Sequence, residues 1–143
     1  MAKRILTPVG GGERREAVVP VVAALARDTG ATVRLLRVFP VPQRITDQMG
    51  RTVAYVDQEM ARLTAEGLAD LHRVETQMAG VPVEAVVRFG DPAEEITLEA
   101  EAFEADLIAL TAERSGRLAG VFSPSVAERV ARTAAVPTLT FTR

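Results

Sequence analysis

The 143-residue chain has no cysteine, no tryptophan, one tyrosine, one histidine and one lysine. The lack of cysteine excludes disulfide staples, thiolate metal sites and a cysteine nucleophile. Aromatic residues make up only 4% of the chain, which argues against a base-stacking platform for single-stranded nucleic acid. A net charge of -2 gives no general attraction to a polyanion or an anionic membrane, so neither nucleic acid nor a bilayer is expected as a partner. The longest apolar run, Ala17 to Ala26, contains Pro20 and is about half the length a membrane span requires. At the start, Met1-Ala2-Lys3-Arg4 is basic, but Ile5 to Val9 is too short for the apolar core of a signal peptide. The expected location is therefore the cytoplasm.

What the chain does have is a strand–helix alternation running from end to end. A hydrophobic fraction of 48% and a charged fraction of 25% are those of an ordinary globular protein, with no composition break to mark a second domain within residues 1–143. Ile5-Leu6-Thr7-Pro8-Val9 reads as a buried strand closed by Gly10-Gly11-Gly12. A helix follows with Val18, Val21, Val22, Leu25 and Ala26 on one face, ending at Gly30. Pro20 predicts a kink or a late start. Thr32 to Val38 is a second strand, and the polar stretch after it, through Thr52, is the longest irregular segment and a candidate lid. Val56, Met60, Leu63, Gly67, Leu71, Val74 and Met78 form one helical stripe, in which Gly67 permits close approach to the sheet.

Val83, Ala85, Val87 and Phe89 alternate with Glu84, Val86 and Arg88, the pattern of an edge strand. Asp91-Pro92-Ala93-Glu94 is a strong helix start, with Ile96, Ala100 and Phe103 as the buried face and the helix's glutamates (94, 95, 99, 101, 104) as a solvated one. Leu107 to Thr111 is the fourth strand. A polar loop from Ala112 to Ser123 leads to a helix with Val126, Ala127, Val130, Ala131 and Ala134 inward, and Thr138 to Thr142 is the last strand. This β-α-β-α-β-α-β-α-β order predicts a single-domain, doubly wound parallel α/β sheet with four helices, and a ligand crevice beyond the strands' carboxyl ends.

Four stretches together carry a family pattern: Ile5-Leu6-Thr7-Pro8-Val9, Phe89 to Ile96, Ala105-Asp106-Leu107-Ile108, and Ser125 to Val130 with Val136-Pro137-Thr138-Leu139. In this order the chain resembles the universal stress protein family. The resemblance implies a five-stranded parallel sheet of order 3-2-1-4-5 and a homodimer paired through the last strand, here Thr138, Leu139, Thr140 and Phe141. It also implies a role in bacterial stress physiology as a regulatory module with a protein partner. Some members bind ATP through Gly-x2-Gly-x9-Gly-Ser/Thr after the fourth strand. Here those glycine positions fall on Thr111, Arg114 and Pro124, and only Ser125 keeps its type. The aspartate that meets the nucleoside falls on Gly10. No cofactor is therefore expected through that motif.

The alternative is ATP, AMP or a small anion held at the crevice positions Pro8, Val9, Gly10, Val38, Arg114, Ser115, Ser125 and Val126, with weak hydrolysis. Arg114 and Arg117 would supply guanidinium groups, and Ser123 and Ser125 flank a helix start. For catalysis little is available. His72 falls off its helix's apolar stripe, Asp106 precedes its strand and so lies away from the crevice, and no metal-ligand spacing occurs.

Overall fold

A computed structural model of the chain describes residues 3–10, 17–43, 45–112 and 122–142. In chain order the elements are β1 (Arg4–Pro8), α1 (Val18–Thr29), β2 (Thr32–Phe39), β3 (Ile45–Thr46), β4 (Thr52–Ala54), α2 (Val56–Glu75), β5 (Val83–Phe89), α3 (Pro92–Phe103), β6 (Leu107–Ala112), α4 (Pro124–Thr133) and β7 (Thr138–Thr142). The main sheet is parallel with order β5-β2-β1-β6-β7, the 3-2-1-4-5 arrangement. Its central strands are apolar on both sides because both sides are covered. Ile5, Val33, Leu35 and Ala109 pack under Val18, Val22 and Leu71 of α1 and α2. Leu6, Leu36, Ile108 and Leu110 pack under Ile96, Phe103 and Val130 of α3 and α4. Among the described residues no helix is long and apolar enough to cross a membrane.

Pro20 produces a late start. It occupies the third position of α1, where its missing N–H had no intrahelical acceptor to lose. The strand ending in Thr111 runs one residue further, to Ala112, and Phe122 makes a parallel bridge back to Ala112.

Three expectations need correction. The stretch after β2 is not irregular throughout: β3 and β4 pair antiparallel. The Asp47 carboxylate closes their turn by accepting from the N–H groups of Met49 and Arg51. Second, the glutamates of α3 do not share one solvated face. Glu94, Glu101 and Glu104 are exposed, but Glu99 is only 4% exposed, and it accepts from Arg34 Nη1 at 2.6 Å and Arg88 Nη1 at 3.0 Å. Glu95 also turns inward to Arg88, at 2.9 Å. Third, three residues placed inward are exposed: Ala131, because α4 ends over the free edge of β7, Val21, on a flank of α1, and Val56, at the start of α2 before the helix reaches the sheet.

Gly67 does bring α2 against the sheet. A Cβ there would sit 2.8 Å from Phe39 Cε2 and 2.9 Å from Val87 Cγ2. Overpacking of that kind costs about 1–3 kcal/mol, against about 1 kcal/mol gained from alanine's helix propensity. Gly67→Ala should therefore lower unfolding free energy by about 1 kcal/mol in a urea titration; an unchanged or higher value would mean that α2 is not pressed onto β2 and β5.

Asp91 joins two helices. Its carboxylate accepts the Glu94 N–H at 3.0 Å as the cap of α3 and pairs with Arg129 of α4 at 2.9 Å. The Arg129 hydrogen bond, followed by the capping N–H, holds its pKa below the ordinary carboxylate value. A depressed folded-state pKa gives stability above the unfolded value near 4, lost as pH falls through the folded one. Asn caps as well as Asp but carries no charge, so Asp91→Asn should cost about 0.5 kcal/mol at pH 7, because the pair is half-exposed. That difference should vanish in acid below the folded pKa, and a pH-independent difference would remove the ion pair from the account.

Candidate functional site at the carboxyl rim of the sheet

The strand order reverses between β1 and β6, whose outgoing connections lead to opposite sides of the sheet. The rim at that point is built from the ends of β1, β2 and β6 and the start of α4. Pro8 pairs with Leu36, and the Val9 N–H donates to Leu36 O at 2.8 Å, which carries the chain toward Gly10 beside the end of β2. Val38 is 5% exposed and shares a core with Ala112 and Phe122, against which Val126 of α4 packs. Val9, 3% exposed, faces the opposite side with Val18 and Val19. The structure thus gathers Pro8, Val9, Gly10, Val38 and Val126 around one rim, with Ser125 exposed on the first turn of α4. Arg114 and Ser115, along with Gly11, Gly12, Glu113, Gly116 and Arg117, lie outside the described residues.

Two positions show what replaces glycine here. Thr111 is fully buried, and its hydroxyl accepts the Val18 N–H at 3.1 Å, capping the start of α1 from the neighbouring strand. Pro124 is the first residue of α4, where it has no N–H. The Ser123 side chain accepts the Val126 N–H, so of the donors at residues 124–126 only the N–H of Ser125 is left to face an anion. Phe122, 9% exposed, fills the space beside Ala112 and Val38.

Sequence reasoning missed two parts of the rim. The Thr111–Val18 link was signalled by a lone hydroxyl inside an otherwise apolar strand. The Asp91–Arg129 clamp had no local signal, because its halves are 38 residues apart. Gly90 is legible only in three dimensions: at φ 147° it leaves room for the Glu95 side chain, which lies 2.9 Å from where a Cβ would stand. Of the acids considered, Asp106 lies at the far end of the sheet, accepting the Arg4 N–H at 2.9 Å. His72 is exposed, 3.4 Å from Glu75. Among the described residues no group of three His, Cys, Asp or Glu side chains could hold a metal ion. The described part of the rim is closed by the buried side chains of Val9, Val38 and Phe122, with Ser125 exposed at its edge.

Comparison with known proteins agrees with this architecture. The chain is similar to a structure of the hypothetical protein MJ0577, with a TM-score of 0.76, 23% identity, and coverage of 99% of this chain and 96% of that one. It is also similar to a universal stress protein family member from Burkholderia pseudomallei, with a TM-score of 0.69, 21% identity, and coverage of 96% and 94%. A third likeness is to the universal stress protein of Archaeoglobus fulgidus in complex with dAMP, with a TM-score of 0.64, 18% identity, and coverage of 96% of both chains. Among curated proteins nothing matches the sequence. The sequence profile of the universal stress protein family covers residues 1–141, spanning the sheet, the four large helices and the rim, and the chain belongs to that family.

Proposed function

We propose that this protein is a homodimeric regulatory module of cytoplasmic stress physiology that works by contact with a protein partner and does not hold ATP through a glycine-rich phosphate loop. The observation that carries the reading is Pro124 at the first position of α4. A phosphate at a helix start is held by successive backbone N–H groups. Here proline supplies none and Ser123 occupies that of Val126. Thr111 supports the same reading, since its hydroxyl is taken by α1 and its side chain is locked in the core.

A second reading, adenine-nucleotide or small-anion binding at the rim, has two observations in its favour. Ser125 is exposed beside Ser123, with the two hydroxyls 3.0 Å apart at the start of α4, and the similar Archaeoglobus protein was solved with dAMP.

The two sheet edges support pairing through β7. Edge strand β5 carries Glu84 and Arg88, the charges that blunt edge-to-edge pairing. By contrast β7 reads Thr-Leu-Thr-Phe-Thr and has no charge. Leu139 and Phe141 are half-buried on the α1 side of the sheet. Arg27, on one flank of α1, reaches Ala79 O beyond the end of α2 at 2.8 Å. The opposite flank of α1, with exposed Val21 and half-buried Leu25, therefore borders β7. On the other side of β7 a groove of about 450 Å³ runs between Ala127 and Ala131 of α4 and Thr140 and Thr142. A second copy paired along β7 would cover both apolar strips.

Two measurements test these readings. With Mg-ATP, AMP or dAMP in millimolar excess, the melting temperature should stay unchanged. A ligand at a hundred times its dissociation constant adds about 2.7 kcal/mol, and a shift of that size lost in Arg114→Ala would favour the nucleotide reading instead. Sedimentation at micromolar concentration should give a dimer for the native chain and a monomer for Phe141→Asp, and a monomeric native chain would overturn the β7 interface.

A further inference from the structure

The outer side of the α3–α4 pair carries a feature that neither the rim nor the β7 edge uses. Two shallow hollows, of about 220 Å³ and about 130 Å³, lie end to end between the helices and share Thr97. Its hydroxyl meets that of Thr133 at 3.3 Å, forming the saddle between them. The floor is of small residues, Ala93 and Ala100 from α3 and Ala134 and Ala135 after α4. Leu98 stands beside it at 42% exposure, a large apolar side chain on a helix whose own core face is Ile96, Ala100 and Phe103.

The unpaired charges on the rim of this groove are acidic. Glu94 borders the first hollow, and Glu101 and Glu104 border the second. Among the described residues Glu94 and Glu101 have no ion-pair partner, and Glu104 meets only Arg4, at 3.6 Å, with its side chain 82% exposed. The one cation lining the groove, Arg129, is already held by Asp91 at 2.9 Å. An anionic lipid or nucleic acid would be repelled here. A groove between two packed helices accepts the ridge of a third helix, and Glu94 and Glu101, two turns or about 10 Å apart on the same side as Leu98, match basic residues spaced at two turns on such a helix.

We propose that the α3–α4 groove docks a basic amphipathic helix of a protein partner, with Leu98 as the apolar contact and Glu94, Glu101 and Glu104 as the charged rim. This names the class of partner for the interaction module and rests on that reading. Contacts this shallow and exposed give weak, salt-sensitive binding.

The test uses the full-length protein, isotope-labelled for NMR and titrated with a monomeric helical peptide of alanine and leucine flanked by lysines, and with its glutamate counterpart. The lysine peptide should shift the amides of Thr97, Leu98, Thr133 and Val136, and should bind at least tenfold more weakly when salt is raised from about 50 to about 300 mM. Leu98→Asp, at an exposed position, should weaken it at least tenfold, and Glu94→Lys with Glu101→Lys should make the protein prefer the glutamate peptide. Shifts centred on the β7 edge or the carboxyl rim, equal binding of both peptides, or indifference to Leu98→Asp would each overturn the proposal. So would self-association that Leu98→Asp abolishes, since a second copy would then occupy the groove. None of these outcomes bears on nucleotide binding or on the Phe141→Asp monomer, so the groove and the module reading fail separately.

Discussion

Burial of the sheet on both faces is the constraint on which the rest depends, because a charged group placed on it must bring a partner, although the hydroxyls of Thr7 and Thr138 are buried without one among the described residues. Glu99 is the sharpest case. It sits at 4% exposure between Arg34 and Arg88, and each arginine also holds a second carboxylate, Glu84 or Glu95. Burial alone would lower the Arg34 pKa and is the largest single influence on it, yet its hydrogen bonds to Glu99 and Glu84 outweigh that and raise it. The Arg34 guanidinium also lies 4.2 Å from the centre of the Phe103 ring. A buried ionic cluster of this kind is weak evidence for stability, but it specifies register strongly. Arg34 pairs with Glu84 and Val38 with Arg88 across β2 and β5. A one-residue slip of β5 would turn Glu84 and Arg88 toward α2 and strand Glu99 without its Arg88 partner. The charges that blunt the β5 edge thus also set its position.

The alternation of strand and helix was legible because buried parallel strands and amphipathic helices have different periods, and the edge position of β5 was legible from its charges. Glu99 was misread, although the signal was present: it follows Ile96 by three residues and precedes Phe103 by four, which places it on the buried face. Arg34 and Arg88, pointing to one side of neighbouring strands, were the counter-charges that position required. The hairpin of β3 and β4 was illegible for a different reason. Strands of two and three residues have no measurable alternation, and the turn is organised by the side chain of Asp47, the positive φ of Gly50 and two short backbone hydrogen bonds.

At the rim, the same fold can offer two chemistries according to a few side chains. A helix start presents an anion site only if its first N–H groups are unclaimed. In α4 only that of Ser125 is unclaimed, and the consequence is structural as well as functional. Pro124 has its φ preset for the helix and Ser123 caps it, so this start is stable without a bound anion. Thr111 does the same for α1, replacing whatever would otherwise satisfy the Val18 N–H. The candidate site could be placed from topology because the reversal of strand order dictates where it lies. Its content could be read only as far as the residues that replace glycine, because the lone hydroxyl of Thr111 does not tell that its partner lies 93 residues away.

The surfaces left over from these solutions divide the molecule. The β5 edge is closed by charge, and the amino end of the sheet is tied by Arg4 and Asp106. The α1 and α2 side is sealed along Gly67. Among the described residues two further surfaces stand apart, the uncharged edge of β7 and the acid-rimmed groove over α3 and α4, and these differ in what can cover them. An edge strand has unpaired N–H and C=O groups that only another strand can complete, so it selects a backbone and tolerates its own copy. The groove is made of helix sides, and its unpaired charges are acidic because Arg129 is held by Asp91, so a second identical groove would repel it and a different, basic surface would fit. The self-pairing proposed at one site and the hetero-pairing proposed at the other rest on the same rule: each would be completed by the chemistry it lacks.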